Sequence, residues 1–180
     1  MRNVVCDLHI GGVNELKNYK SMVDCVLAGD IFDLKNCRKE DNKVLTRVAK
    51  EKALSFGKRY IRGNHDYVVN DNDYFIEDGI VYAHGWLEMW DNTKIYEWQN
   101  KTFNGTGVFG RTRAKLIDFG RSVQQKPHES FYVKAFLKLR NEKCHTYVCG
   151  HKHYKEKIEC KQDGLRVVVL PRGFHKGSDI

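Results

Sequence analysis

A chain of 180 residues with 41% hydrophobic and 30% charged residues has the composition of one globular domain. It contains no run of about 18 apolar residues that would cross a membrane. The six cysteines lack CxxC spacing, which argues against a disulfide framework or a zinc knuckle and indicates a reducing, cytoplasmic location. The formal net charge of +8 indicates an anionic partner, which is either a small substrate or a nucleic acid.

Apolar runs and helical periodicity alternate along the first third of the chain. The first run, Asn3–Cys6, is predicted to be a buried strand that begins too early to leave room for a signal peptide. Asn14–Ser21 is predicted to form two turns of helix, and Val23–Ala28 a second strand. The apolar positions of Glu40–Phe56 recur at helical spacing, and Gly57 is expected to cap that helix.

Further strands are predicted along the rest of the chain. They are Arg59–Ile61, a short strand from Ile76, Ile80–Ala83 and Thr146–Cys149. Lys157–Cys160 and Leu165–Leu170 are predicted to form a hairpin that turns at Asp163-Gly164. Strands that alternate with helices indicate an α/β fold with helices outside a sheet.

A polar motif follows five of these strands, at the point where each strand ends. In chain order the motifs are Asp7-Leu8-His9, Gly29-Asp30-Ile31-Phe32-Asp33, Gly63-Asn64-His65-Asp66, His84-Gly85 and Gly150-His151-Lys152-His153. In layered α/β folds the loops at strand ends converge, so these motifs are expected to lie together. Carboxylates, imidazoles and an amide oxygen are what two neighbouring divalent ions need.

In order and residue type, the five motifs resemble the signature of the calcineurin-like metallophosphoesterases, which reads DxH, GDxxD, GNH(D/E), H and GHxH. The resemblance covers the chain from end to end and implies the family's four-layer α/β/β/α sandwich. It implies that one ion is held by Asp7, His9, Asp30 and His153, and the other by Asp30, Asn64, His84 and His151. Asp30 would bridge the two ions. Mn²⁺ is the expected metal, and Fe, Zn and Ni are also compatible with mixed nitrogen and oxygen ligands.

The remaining motif residues are expected to act on the substrate. The resemblance implies that His65 is not a ligand but protonates the leaving-group oxygen, a task that suits imidazole because it titrates near neutral pH. Asp33 is implied to be the carboxylate that orients His65, with a helix N-cap before Leu34 as its structural alternative. Asp66 is a further candidate to support this machinery.

The function implied is a dinuclear metal-dependent phosphoesterase. It would hydrolyse a phosphate ester or anhydride of a small, nucleotide-like substrate by metal-bound hydroxide. One alternative is a metal-dependent nuclease that acts on DNA or RNA. Another is a pyrophosphatase of the UDP-2,3-diacylglucosamine type, although those enzymes usually have arginine at the position of His65. A non-catalytic scaffold of the same fold would be expected to have lost ligands, and all of them are present here.

One long segment, residues 86–143, lies between the fourth and fifth motifs. It begins with Trp86 and is rich in aromatic and basic residues, and Ser130–Leu139 within it is predicted to be a helix. The segment is interpreted either as a substrate-recognition lid or as an ordinary cover on the sheet. With this segment inserted, residues 1–180 are expected to form a single metallophosphoesterase domain.

Overall fold

A computed structural model describes residues 1–19, 22, 24–85, 144–151, 153–162 and 164–180. These residues form a mixed α/β structure with two mixed β-sheets and one α-helix. The interpretations of segment 86–143, including the helix predicted at 130–139, lie outside the described residues.

Apart from β9, which the sequence did not predict, the described strands and the helix lie close to the predicted ones. In chain order they are β1 (Asn3–Cys6), β2 (Cys25–Ala28), α1 (Lys39–Phe56), β3 (Tyr60–Ile61), β4 (Tyr74–Glu77), β5 (Ile80–Ala83), β6 (Thr146–Cys149), β7 (Ile158–Gln162), β8 (Leu165–Val169) and β9 (Gly173–His175). The helix predicted at 14–21 is present as a 3-10 helix at Val13–Tyr19, with its first residue exposed.

Both sheets have a parallel centre. The first sheet has the order β3-β2-β1-β9, in which β1, β2 and β3 are parallel and β9 runs antiparallel to β1. The second has the order β4-β5-β6-β8-β7, in which β5, β6 and β8 are parallel and the two edge strands are antiparallel to their neighbours. The carboxyl ends of the parallel strands within each sheet therefore lie at one edge, where sites are built in such folds.

The two sheets pack against each other face to face, and the outer face of the first sheet is covered by a helix. Along β1, Val4 lies in the core between the sheets, whereas Val5 points to the opposite side, because side chains alternate along a strand. Helix α1 covers that outer face of the first sheet with Leu45, Ala49 and Ala53. The described layers are thus a helix, a sheet and a second sheet.

Helix α1 ends as predicted. Gly57 follows the helix with φ 56°, and the backbone N–H of Gly57 donates a hydrogen bond to the carbonyl of Ala53. The side-chain amide of Asn42 in the first turns donates to the carbonyl of Leu34 at 2.9 Å, which ties the helix to the loop after β2. In the part of the chain that the structure describes, no helix is long and apolar enough to cross a membrane.

Candidate metal centre

Every predicted motif begins just after a strand. Asp7 follows β1, Asp30 follows β2 and Asn64 follows β3, all in the first sheet, whereas His84 follows β5 and His151 follows β6 in the second sheet. The predicted placement of the motifs at strand ends is confirmed. Because the sheets face each other, loops from both meet at this edge.

A first group of ligand atoms consists of Asp7, His9 and His153. Its atoms lie within 4.8 Å of one another. The Nε2 atoms of His9 and His153 are 3.0 Å apart, and His153 Nε2 lies 3.3 Å from Asp7 Oδ1. That oxygen of Asp7 is buried and has no hydrogen-bond partner among the described residues. A buried carboxylate oxygen without a partner is costly, so a cation bound between these side chains fits the donor set.

A second group consists of Asp30, His84 and His151, with Asn64 beside them. His84 Nε2 lies 3.3 Å from Asp30 Oδ2, 3.1 Å from Asn64 Oδ1 and 3.1 Å from His151 Nδ1. The other ring nitrogen of His84 lies 3.1 Å from the carbonyl oxygen of Ala28, which can only accept, so Nδ1 carries a hydrogen there. His84 Nε2 alone cannot form hydrogen bonds to all three neighbouring atoms. A bound cation, in contrast, would attract the lone pairs of all four side chains at once.

Asp30 lies between the two groups. Its Oδ2 is 3.3 Å from Nε2 of His84 in the second group and 3.8 Å from Nε2 of His9 in the first. Its Oδ1 accepts the backbone N–H of His65 at 2.7 Å, which fixes the carboxylate. The side chain is almost fully buried. This is the position that a ligand shared by two ions would occupy.

Asp30 and His84 also shift each other's ionisation. Burial disfavours the charged form of both groups, but their mutual attraction outweighs it. The Asp30 and Asp7 carboxylates raise the pKa of His84 to about 9 against that burial, and His84 helps to hold the pKa of Asp30 below its usual range. Burial lowers the pKa of His9. A proton on His84 thus offsets carboxylate charge that a bound cation would neutralise in its place.

The backbone at the centre is unusual. Among the described residues, seven non-glycine residues have positive φ, and five of them belong to the two ligand groups. These five are Asp7, His9, Asp30, His151 and His153, with φ between 48° and 70°. Such conformations are uncommon outside glycine and concentrate at functional sites. The clustering indicates that the loops are shaped to aim these side chains.

Glycines in three of the motifs make room for candidate ligand side chains that belong to other motifs. A Cβ at Gly29, where φ is 79°, would lie 2.6 Å from Cγ of His84. At Gly63 it would overlap the carboxylate of Asp30, and at Gly150 that of Asp7. The glycines of the second, third and fifth motifs are therefore explained by close approach of a ligand.

His65 lies beside the first group and is held by Asp33. Its Nδ1 is 2.7 Å from Oδ1 of Asp33, and its ring meets the ring of His9 edge-on at 4.6 Å between centroids. Burial opposes ionisation of Asp33, but hydrogen bonding and attraction to His65 lower its pKa. Asp33 also accepts the backbone N–H of Asn36 at 3.0 Å. The helix N-cap considered for Asp33 is wrong, since α1 begins only at Lys39 and Asp33 caps a turn instead.

Asp66 does more than the sequence predicts. Its buried carboxylate accepts backbone N–H groups from Gly63 at 2.7 Å and Ile31 at 2.9 Å, and the hydroxyl of Tyr60 at 2.9 Å. Burial and the Asp30 carboxylate raise its pKa. Asp66 therefore ties the second motif to the third from beneath the ligands. In the sequence, the position of Asp66 at the end of the third motif is what indicates this supporting role.

An Asp66→Asn substitution is expected to destabilise the fold by about 3 kcal/mol. An amide has one acceptor oxygen where the carboxylate has two, and its NH2 would face backbone donors in a buried site. The urea midpoint of unfolding measures this loss. Tyr60→Phe removes one of the same hydrogen bonds and should cost about 1 kcal/mol. Equal stability of Asp66→Asn and the wild type would show that these contacts do not hold the loops.

The structure brings all nine predicted site residues into one region. They are the seven predicted ligands Asp7, His9, Asp30, Asn64, His84, His151 and His153, with Asp33 and His65 beside them. Sequence reasoning missed Asn36, whose side-chain amide lies 3.3 Å from Asp33 Oδ2 and 3.4 Å from His65 Nδ1. Its position three residues after an aspartate is typical of such a turn.

A scan against protein-family models and a search of curated protein sequences each gave no match. The resemblance to calcineurin-like phosphoesterases is therefore carried by five short motifs spread along the chain. Its functional interpretation depends on which side chains those motifs bring together.

Proposed function

We propose that this chain is a dinuclear metal-dependent phosphoesterase of the calcineurin-like type that hydrolyses a phosphate ester or anhydride of a small, nucleotide-like substrate. The observation that supports this most strongly is the pair of ligand groups that meet at Asp30. Oδ2 of this one residue lies 3.3 Å from a histidine of one group and 3.8 Å from a histidine of the other. Two ions that share a carboxylate are typical of phosphoesterases.

The proposed ligand sets divide the nine residues into two ion sites and a proton donor. The first ion would be held by Asp7, His9, Asp30 and His153, and the second by Asp30, Asn64, His84 and His151. Mixed oxygen and imidazole donors suit Mn²⁺, and also Fe, Zn and Ni. When bound, such a pair of ions activates a phosphoryl group as a Lewis acid and generates a nucleophile from water near neutral pH.

The chain's own hydrogen bonds set the directions of the ligands. The backbone N–H of His151 donates to Oδ2 of Asp7 at 2.8 Å, which leaves the buried Oδ1 for the first ion. The hydrogen bond from Nδ1 of His84 to Ala28 leaves its Nε2 for the second. Partners of this kind fix the ring orientation of a metal-binding histidine and raise its basicity.

His65 is proposed to move the proton that the leaving group needs. Asp33 holds Nδ1 of this ring at 2.7 Å, so the proton would pass from Nε2 to the departing oxygen of the substrate. The edge-on contact with His9 puts the donor beside the first ligand group. Asp33 acts through His65 by fixing the orientation of its ring.

The four-layer sandwich is part of the proposal. Helix α1 and the two sheets supply three successive layers. The residues on the outer face of the second sheet are buried, among them Val81, Tyr147 and Val167, which supports a further layer on that face. A single domain over residues 1–180 is proposed with it. The six free thiols favour a cytoplasmic location.

Metal removal and restoration test the proposed function. Metal-stripped protein is expected to be inactive toward p-nitrophenyl phosphate and bis-p-nitrophenyl phosphate, and added Mn²⁺ should restore turnover of at least one of them. The metal content, measured by mass spectrometry, should reach two ions per chain. The preferred ester would separate a monoesterase from a diesterase. A chain that holds two Mn²⁺ ions and hydrolyses neither these esters nor a nucleotide anhydride such as ATP would contradict the proposal.

A further inference from the structure

We propose that Arg172 binds the phosphoryl group of the substrate at the mouth of the metal centre and favours a terminal, doubly charged phosphate. This inference rests on the proposed phosphoesterase function and names the group that the site would receive. Arg172 belongs to none of the five motifs. It is brought to them by the way the chain returns to the first sheet after β8.

The backbone around Arg172 is fixed next to the end of β1. The carbonyl of Pro171 accepts hydrogen bonds from Sγ of Cys6 at 3.3 Å and from Nε2 of His175 at 2.7 Å. Gly173 then pairs with Cys6 as β9 runs antiparallel to β1. Arg172 is therefore held on both sides, next to the strand end that Asp7 follows.

The side chain of Arg172 reaches the first motif itself. Its guanidinium donates to the carbonyl of Leu8, which lies between Asp7 and His9. A guanidinium has five N–H donors, and among the described residues this is the hydrogen bond that the exposed Arg172 makes. The positively charged guanidinium is thus anchored on the loop that carries two proposed ligands of the first ion. Its other N–H groups remain to bind a substrate from solvent.

The first ion site is also the side of the centre that is open to solvent. The side chain of His153 is 48% exposed, whereas that of His84 in the second group is 3% exposed. A substrate would therefore approach over the first group, on the loop to which Arg172 is anchored. Arg172 would then contact the phosphate as it enters the site.

Charge favours a doubly negative phosphate at this position. Two divalent ions exceed the charge of the ligand carboxylates Asp7 and Asp30, and the guanidinium adds one more positive charge. A planar guanidinium pairs well with two phosphoryl oxygens, which a terminal phosphate presents more freely than a diester does. Removal of Arg172 should therefore weaken binding of a monoester more than that of a diester.

Binding of inorganic phosphate to the Mn²⁺-loaded chain tests this directly. Calorimetry should show about tenfold weaker phosphate binding for Arg172→Ala, which is the effect of one charge-assisted contact at a partly exposed site. KM for p-nitrophenyl phosphate should rise by a similar factor, with smaller changes in kcat and in the kinetics of the bis-ester. Arg172→Lys keeps the positive charge but not the paired N–H donors of the guanidinium, so its phosphate affinity and KM should lie between those of the wild type and Arg172→Ala. Arg47→Ala is the matched control because Arg47 is exposed on α1 and pairs with Glu51.

The outcomes separate this inference from the proposed function. If the wild type turns over and Arg172→Ala has unchanged phosphate affinity and KM, the inference is wrong and the phosphoesterase stands. If the wild type holds two Mn²⁺ ions but neither binds phosphate nor turns over, both fail. Loss of Mn²⁺ from Arg172→Ala, with Arg172→Lys no different from the wild type in phosphate affinity, would show a structural role through Leu8 and overturn the inference.

Discussion

An Asp30→Asn variant is expected to lose both metal ions and to lower turnover by more than a hundredfold. Oδ2 of Asp30 lies near His9 of one group and His84 of the other, so both proposed ion sites would depend on this carboxylate. An amide brings no negative charge to balance two cations and presents an NH2 group where an acceptor is needed. Loss of an outer-shell partner alone costs about 10–100-fold in affinity or activity, and a shared ligand should cost more.

The measurement is the metal content of the purified variant after dialysis, together with turnover at saturating Mn²⁺. Asp24→Asn is the matched control, because Asp24 is 73% exposed at its side chain and pairs with Arg2 and Arg59 away from the motif loops. That control should retain two ions and wild-type turnover. An Asp30→Asn protein that holds two Mn²⁺ ions would show that the carboxylate is not shared.

Much of the fold could be predicted because its strands are short apolar runs that end at polar residues. Strands β1, β5 and β6 have the predicted bounds, and their central residues are buried on both faces. The segment at Val13–Tyr19 was harder because it is largely exposed and lacks an apolar stripe to distinguish an α-helix from a 3-10 helix. Burial, and not propensity, made the strands predictable.

What could not be predicted depends on contacts between distant parts of the chain. Pairing of β9 with β1 places Arg172 on the carbonyl of Leu8, 164 residues earlier. Asp66 binds backbone N–H groups of the second motif, and such donors have no signature in the sequence. A resemblance based on motifs predicts which residues are ligands, whereas the side chains that would position them are found only from the fold.

The chemistry of the ligands and the shape of their loops are connected. Asp, Asn and His are the non-glycine residues that most often adopt left-handed backbone conformations. They are also the residues that supply oxygen and imidazole ligands to a mixed-ligand centre. At Asp7, Asp30 and His151 one residue meets both demands, with φ of 55°, 52° and 70°. Substitution there would change a proposed ligand and a turn together, so metal content and folding should both be measured in such variants.

A His65→Ala variant is expected to keep its metal and to lose turnover in a way that depends on the leaving group. A general acid contributes about 10²–10⁴-fold when the departing oxygen is basic. p-Nitrophenolate leaves readily without a proton, so the loss on p-nitrophenyl phosphate should be smaller than the loss on an alkyl phosphate. His145→Ala is a suitable control, because His145 contacts the carbonyl of Asp78 away from the ligand groups.

The metal content of the same variant distinguishes a proton donor from a ligand. His65 also lies with His9 and Asp33 in a group whose atoms could hold an ion. If His65 were a ligand, its removal would lower the amount of bound Mn²⁺ and would slow all esters by the same factor. If two ions are retained and the loss of turnover grows with the basicity of the leaving group, His65 is the proton donor. Asp33→Asn should then give the same pattern more weakly, because Asp33 acts only through the His65 ring that it holds.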